Sequence, residues 1–250
     1  MTKLMRIRLV VVAIIIVVLE LACRYNIISS YSLIPPTEML TSMLLILRGG
    51  TINGQIISTL IAIAMAAVSA IIVGTLLAVL LHSIPRLRRA IDPVLVTYYS
   101  IPIFVFYPIF IVLFGLNNFP KILIGFLSAV VSMIASTLNG LDRVPRVMLK
   151  TGKVLKLSRF EKVVEITLPS AAPNIFNGAK LAIAHAFVGV LAAEFILSNG
   201  GLGYQIAYGY HNFDNPKMYG LMLLVLIIVS LVNGALLTWE RRLRRRRGLV

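Results

Sequence analysis

The side chains able to react are few in this 250-residue chain: three His, one Cys and nine Asp or Glu. His82, His185 and His211 lack the spacing of metal ligands. One thiol, Cys23, makes neither an intrachain disulfide nor a thiolate cluster. A membrane protease or acyl transferase needs a nucleophile with a base in reach, and no motif here offers one. A phosphate loop of the form Gly-x-x-x-x-Gly-Lys-Ser/Thr is absent, so ATP is not bound and split here in that manner. The run Gly200-Gly201-Leu202-Gly203 is glycine-rich, but no strand precedes it; it reads as a turn from which a short helix dips back toward the membrane. The sequence therefore predicts no catalytic residue, no metal and no cofactor.

Three residues inside apolar stretches carry what polar or conformational chemistry remains. Ionisable groups in a bilayer are costly and face a cavity or a partner. Glu194 either orders the following glycine turn by accepting backbone hydrogen bonds or lines a path through the membrane. His185 either hydrogen-bonds a neighbouring helix or relays a proton. Pro102, with Pro108, removes backbone donors inside a span, giving a packing kink or a bend beside a path. Glu20 lies near the end of a short first span and can reach the interface.

The elements that hold these residues are transmembrane helices. The chain is 59% hydrophobic and only 13% charged, about half the charge of a soluble domain. Its long apolar runs lack the alternation of barrel strands. Six spans are expected, near 10–23, 54–81, 94–114, 122–138, 175–197 and 219–239; against the ~20 residues that cross ~30 Å of hydrocarbon, the first is short and the second long. The fold class is all-α, a polytopic membrane protein in one domain, 1–250. Its core runs from about 50 to 240, with a basic loop at 139–174 and a basic tail at 241–250. In span two, Ala66, Ala70 and Gly74 repeat every four residues, a face for close helix packing. Lys3, Arg6 and Arg8 before an apolar run ending near Cys23 look like a lipoprotein signal, but Glu20 spoils that pattern and an uncleaved first helix is expected.

The net charge of +15 sits in short segments between and after the spans, not on a soluble face, so nucleic acid is not an expected partner. With both termini in the cytoplasm, nineteen of the 24 Lys and Arg fall inside, Arg24, Arg48, Lys121 and Lys217 fall outside, and Lys180 lies near the inner end of span five. The loop at 139–174 alone holds Arg143, Arg146, Lys150, Lys153, Lys156, Arg159 and Lys162. A long cationic loop between spans implies a cytoplasmic partner, and the membrane lipid surrounds the rest.

That loop closes with Ile166-Thr167-Leu168-Pro169, preceded by Leu157-Ser158-Arg159-Phe160-Glu161-Lys162. It resembles the cytoplasmic signature of ABC-importer permeases, which reads Glu-Ala-Ala, three residues, Gly, nine residues, Ile-x-Leu-Pro. Ile34-Pro35-Pro36-Thr37-Glu38, Ser100-Ile101-Pro102 and Ala193-Glu194 with Gly201-Leu202-Gly203-Tyr204-Gln205-Ile206 resemble other segments of the branch that imports nitrate, sulfonates and taurine. The resemblance covers about 30–245 and implies a type I importer permease fold. It further implies a pair of permeases, two ATP-binding subunits beneath and an extracytoplasmic substrate-binding protein that delivers a small solute. It places coupling to the ATPase on Lys150, Thr151, Gly152, Lys156, Leu157, Ser158, Arg159, Phe160, Ile166, Leu168 and Pro169. The stretch 157–164 is expected as a short helix along the inner membrane face.

Two parts of the signature depart from the family form. Lys150-Thr151-Gly152 stands for Glu-Ala-Ala, and Lys156 stands for Gly. Glycine tolerates a positive φ that lysine resists, so either the turn differs here or Gly152 makes it. An ion-coupled secondary carrier, expected to show internal repeats or several buried ionisable groups, and a non-transporting assembly protein are the rival readings. Nitrate, sulfonates and pyrimidine-like vitamin precursors all stay open as solutes.

Overall fold

The structure is a computed structural model that describes residues 3–29 and 31–246. Among these, every regular element is helical. α1 (Lys3–Arg24) leads to a short α2 (Pro36–Arg48) and a long α3 (Asn53–Ser83). α4 (Pro85–Tyr98), a 3-10 turn (Ile103–Phe106) and α5 (Tyr107–Phe114) precede α6 (Asn118–Asp142). α7 (Arg146–Val154), the single turn α8 (Arg159–Glu161) and a π turn (Lys162–Thr167) run into α9 (Leu168–Leu197), followed by α10 (Leu202–His211) and α11 (Asn215–Arg246).

α3, α6 and α9 form the centre, because their facing residues are small. Ala62, Ala66, Ala70 and Ala78 of α3 meet Ala129 and Met133 of α6 and Ala182, Ala186 and Val190 of α9. A Cβ on Gly74 would lie 2.8 Å from Met133 Cβ, so the Ala66-Ala70-Gly74 face is the contact its spacing predicts. A second cluster joins Met43 of α2, Leu202 and Ile206 of α10, and Met218, Leu221 and Leu224 of α11. Glu20, read as an interfacial charge, ties α1 to α2. Its carboxylate accepts from the Thr37 amide at 3.0 Å, the Thr37 hydroxyl at 2.7 Å and Arg24 Nε at 2.6 Å.

Among the described residues four helices are long and apolar enough to cross a membrane: Asn53–Ser83, Asn118–Asp142, Lys162–Leu197 and Asn215–Glu240. The expected third span departs from a simple helix. Pro85–Tyr98 and Ile103–Phe114 meet at 86°, and they supply a fifth span only if the bent pair counts as one. Pro102 starts the new direction with an extended ψ of 95°, and Pro108 sits in the first turn of α5, where a missing N–H costs nothing. α1 is the remaining predicted span; its 22 residues extend about 33 Å, with Arg6, Arg8, Glu20 and Arg24 crowding its ends. The expected loop also shrinks. Residues 139–142 finish α6 and 168–174 begin α9, which absorbs Pro173 in its interior.

Candidate functional site

The basic segment is a folded frame, not a free loop. Pro145 starts α7 with φ −59°, and α7 ends in a Schellman turn. The Leu157 amide donates to Gly152 O at 3.0 Å and the Lys156 amide to Lys153 O at 3.1 Å. Lys156 occupies the left-handed position of that turn, at φ +51°. The turn is thus built with lysine where the permease signature has glycine, at a cost of about 1–2 kcal/mol. Gly152 does not make it. Gly152 is buried inside α7, where a Cβ would lie 2.7 Å from Ile166 Cδ1, so its role is to let α7 lie flat on the π turn.

Ser158 then caps the next helix. Its hydroxyl accepts from the Glu161 amide at 3.2 Å, and Glu161 Oε2 accepts from the Ser158 amide at 2.7 Å, a reciprocal capping box. The expected helix at 157–164 is only the single turn Arg159–Glu161, which runs on through the π turn into α9. Pro169 lacks the N–H that Glu165 O would accept, and the turn before it widens, with Thr167 Oγ1 donating to Lys162 O at 3.1 Å. Across this frame Phe160 is 76% exposed and Val154 81%, with Val147 and Leu155 beside them. Lys150, Lys153 and Lys156 are exposed, Leu157, Ile166 and Leu168 half-buried, and Pro169 exposed. The Arg159 side chain lies outside the described residues, as do the side chains of the tail from 241. An open cleft of about 430 Å³ lies between Met148 and Thr151 on one side and Glu165, Ile166, Pro169 and Ser170 on the other.

At the far end of α9, Glu194 is fully buried. Its carboxylate accepts from Lys121 Nζ at 2.9 Å, from Thr59 Oγ1 at 2.8 Å and from the Gly203 amide at 3.1 Å. Thr59 Oγ1 accepts from the Leu202 amide at 2.8 Å, and Gln55 Oε1 accepts from the Gly201 amide. Three helices and the first turn of α10 converge on one carboxylate. Gly201 sits at φ +107°, and a Cβ there would fall 2.0 Å from Glu194 Oε1; no other residue fits. Glu194 therefore accepts a backbone hydrogen bond from the glycine turn, as one reading of the sequence expected. Lys121, counted among the outer charges, is 1% exposed and is the carboxylate's counter-ion, a pairing not anticipated from the sequence. The available signal was its position, one residue before the predicted fourth span, together with the need of any buried carboxylate for a partner.

His185 Nδ1 lies 2.7 Å from Ser132 Oγ, joining α9 to α6. Pro102 stands exposed at the 86° break. Among the described residues neither makes a hydrogen bond to Glu194 or to the basic frame, though Ile103, next to Pro102, packs in one cluster with Ala193, next to Glu194. No group of three His, Cys, Asp or Glu able to hold a metal occurs among the described residues.

Residues 70–248 match the family described as binding-protein-dependent transport system inner membrane component. The chain is 28% identical over 201 residues to the nitrate import permease protein NrtB of Synechococcus elongatus, spanning 78% of this chain and 72% of that protein. It is 30% identical over 179 residues to NrtB of Leptolyngbya laminosa, spanning 72% of this chain and 63% of that protein. The taurine transport system permease protein TauC of Escherichia coli is 25% identical over 223 residues, 87% of this chain and 81% of TauC. In fold, the chain is similar to a chain of the MetNI methionine ABC transporter solved in an inward-facing conformation, with TM-score 0.66, 20% identity and coverage of 76% and 95%. The helical bundle, the basic frame ending in Ile-Thr-Leu-Pro and the match over most of its length make this chain a member of the binding-protein-dependent transport system inner membrane component family, the permease subunits of ABC importers.

Proposed function

We propose that the frame from α7 to the π turn is the surface its ATPase subunits grip, and that Glu194 holds the opposite end of the bundle closed around the α10 turn. As a permease subunit the chain moves solute across the cytoplasmic membrane while ATP is hydrolysed on partner subunits. Our reading adds the assembly: two identical copies of this chain, two ATP-binding subunits and one extracytoplasmic binding protein. The solute we assign is small and nitrate-, sulfonate- or taurine-like, as the names of the relatives say of those proteins.

One observation carries the docking reading. The frame is internally rigid, through Gly152 on Ile166 and the Ser158–Glu161 box, yet it exposes Phe160, Val147 and Val154 among lysines. Apolar anchors within a charged rim are the usual make-up of a protein interface, and a single aromatic commonly dominates it. Lys150, Lys153 and Lys156 would set association rate and salt sensitivity. Phe160→Ala should release the ATPase subunits on co-purification and abolish uptake while the permease stays inserted and dimeric. An intact complex with normal uptake removes the frame from the docking surface.

We also assign both termini and the frame to the cytoplasm, on the distribution of Lys and Arg. In a Cys23→Ser background, a cysteine at Asn212 should react with an impermeant thiol reagent in intact cells, and one at Gly248 should not. Labelling of Gly248→Cys from outside reverses the assignment.

A further inference from the structure

α4 is the least embedded of the helices leading to the break. None of its residues is buried; Ile91, Leu95 and Tyr98 lean half-buried against the core in one stripe. Two polar contacts pin its ends to α6. At one end Arg88 Nη1 and Nη2 donate to Asp142 Oδ1 and Oδ2, both at 2.6 Å. At the other the Tyr98 hydroxyl donates to Leu127 O at 3.0 Å. His82 Nδ1 lies 3.2 Å from Asp142 Oδ1, and Arg88 Nε lies 3.8 Å from Asp92. Asp142 is the last residue of α6, and only Arg143, Val144 and Pro145 separate it from α7. Val144 is buried, so that link is anchored. Past Tyr98 the chain turns through 86° into α5.

We propose that Arg88 and Asp142 are positioning residues for transport: their two-point contact carries a displacement of the α7 frame into α4, and through α4 to the break at Pro102. This rests on the reading that the frame meets the ATPase subunits. A guanidinium fork on a carboxylate fixes direction as well as distance. A lone charge contact would let α4 slip, because its apolar stripe is shallow. The pair is only part-buried, with Arg88 27% and Asp142 39% exposed, so it is free to travel with both helices without a buried charge being stranded.

The test uses the complex of the full chain with its ATPase subunits in nanodiscs, in a Cys23→Ser background with Val96→Cys on the exposed face of α4. The reading is the rate of maleimide modification without nucleotide and after trapping with ATP and vanadate. The parent complex should show a ratio of about fivefold or more between the two states. Arg88→Ala and Asp142→Ala should each bring that ratio close to one while ATP hydrolysis stays within about twofold of the parent. The exchanged pair, Arg88→Asp with Asp142→Arg, should regain at least half of the ratio. Should the alanine chains fail to insert, Arg88→Lys, which keeps the charge but loses the fork, should cut the ratio by about half. A modification rate that is the same in the two states in the parent, or a ratio that ignores every substitution, overturns the proposal. A parent chain that captures no ATPase subunit sinks the docking reading itself. An assembled complex indifferent to Arg88 sinks this inference alone.

Discussion

The two ends of α9 handle charge in opposite ways. At the Glu194 end one carboxylate and one ammonium are buried together, and every polar atom named there is spoken for by Thr59, Gly203 or the other partner. At the α7 end several lysines lie exposed beside an exposed phenylalanine. Paired and buried charge serves the bundle's own geometry: the Glu194 carboxylate meets Lys121, Thr59 and Gly203, and Lys121 Nζ also reaches Ser58 Oγ. Unpaired and exposed charge, set on a rigid frame, has capacity only for something outside the chain. The difference is what the proposal rests on: an internal fastening at one end and a surface open to a partner at the other.

Breaking the buried pair should have the largest effect. Lys121→Ala leaves Glu194 desolvated with no counter-ion and should destabilise the chain by about 3–5 kcal/mol. Thermal unfolding in detergent measures it. Glu194→Gln should be nearly as harmful; the amide keeps acceptors for Thr59 and Gly203 but strands Lys121. The double variant Lys121→Met with Glu194→Leu should recover more than half the loss, since a buried pair is often no better than well-packed apolar residues. A cost below about 1 kcal/mol for Lys121→Ala would mean that the ion pair does not fasten this end.

At the frame the same type of change should leave stability alone. Lys153→Ala should move the melting temperature little, because an exposed lysine contributes within about 0.5 kcal/mol. It should slow association with the ATPase subunits, an effect that disappears at high salt. Phe160→Ala should cost on the order of 2 kcal/mol in that association, about 30-fold in affinity, at any salt concentration. If Lys153→Ala destabilises the chain as Lys121→Ala does, the contrast between the two ends is lost.

What could be read in advance follows the same division. Long apolar stretches announce helices, and Ala66, Ala70 and Gly74 announce the face between α3 and α6, since both depend on local pattern. Ile166-Thr167-Leu168-Pro169 located the frame. The 86° break was not legible. Pro102 and Pro108 show where donors are missing, but the direction of the chain after them depends on what it packs against. The start of α9 was misplaced for a related reason: Pro169 and Pro173 read as loop, yet one stands in its first turn and the other is tolerated inside a helix supported by α6. The burial of Lys121 was not legible, because charge alone cannot tell an interfacial lysine from one drawn inward by a carboxylate 73 positions away.

Lys156 gives a smaller test. It sits at φ +51° where the family signature has glycine. Lys156→Gly removes the left-handed penalty of about 1–2 kcal/mol but returns about 0.5–1 kcal/mol as chain entropy on unfolding. The net gain should be a few tenths to about 1 kcal/mol, read as a small rise in melting temperature. Lys156→Ala should be neutral in stability. If both variants instead lower ATPase association equally, the lysine charge, not the turn, is what position 156 contributes.

The least effect belongs to Glu161, and its sign is fixed by the capping box. The Ser158 hydroxyl and then the Ser158 amide hold the Glu161 carboxyl below its usual value of 4.5. A carboxyl that is more acidic folded than unfolded adds stability at every pH above the ordinary glutamate value. That addition fades as the pH falls through the lower, folded value, because the protonated acid is the weaker acceptor for the Ser158 amide. The fully exposed setting keeps the contribution small. Glu161→Gln should therefore flatten the acid side of the frame's local stability without changing it much at neutral pH. Glu161→Ala should lower it at all pH values, because both the charge and the acceptor are gone. Amide hydrogen exchange at Ser158 and Glu161, followed from pH 7 downward, reads this directly. Wild type should lose protection through the acid range, and the Gln variant should stay level. Parallel curves for the two chains would show that Ser158 is capped by something other than the Glu161 carboxylate, and that the frame owes its rigidity to Gly152 on Ile166 alone.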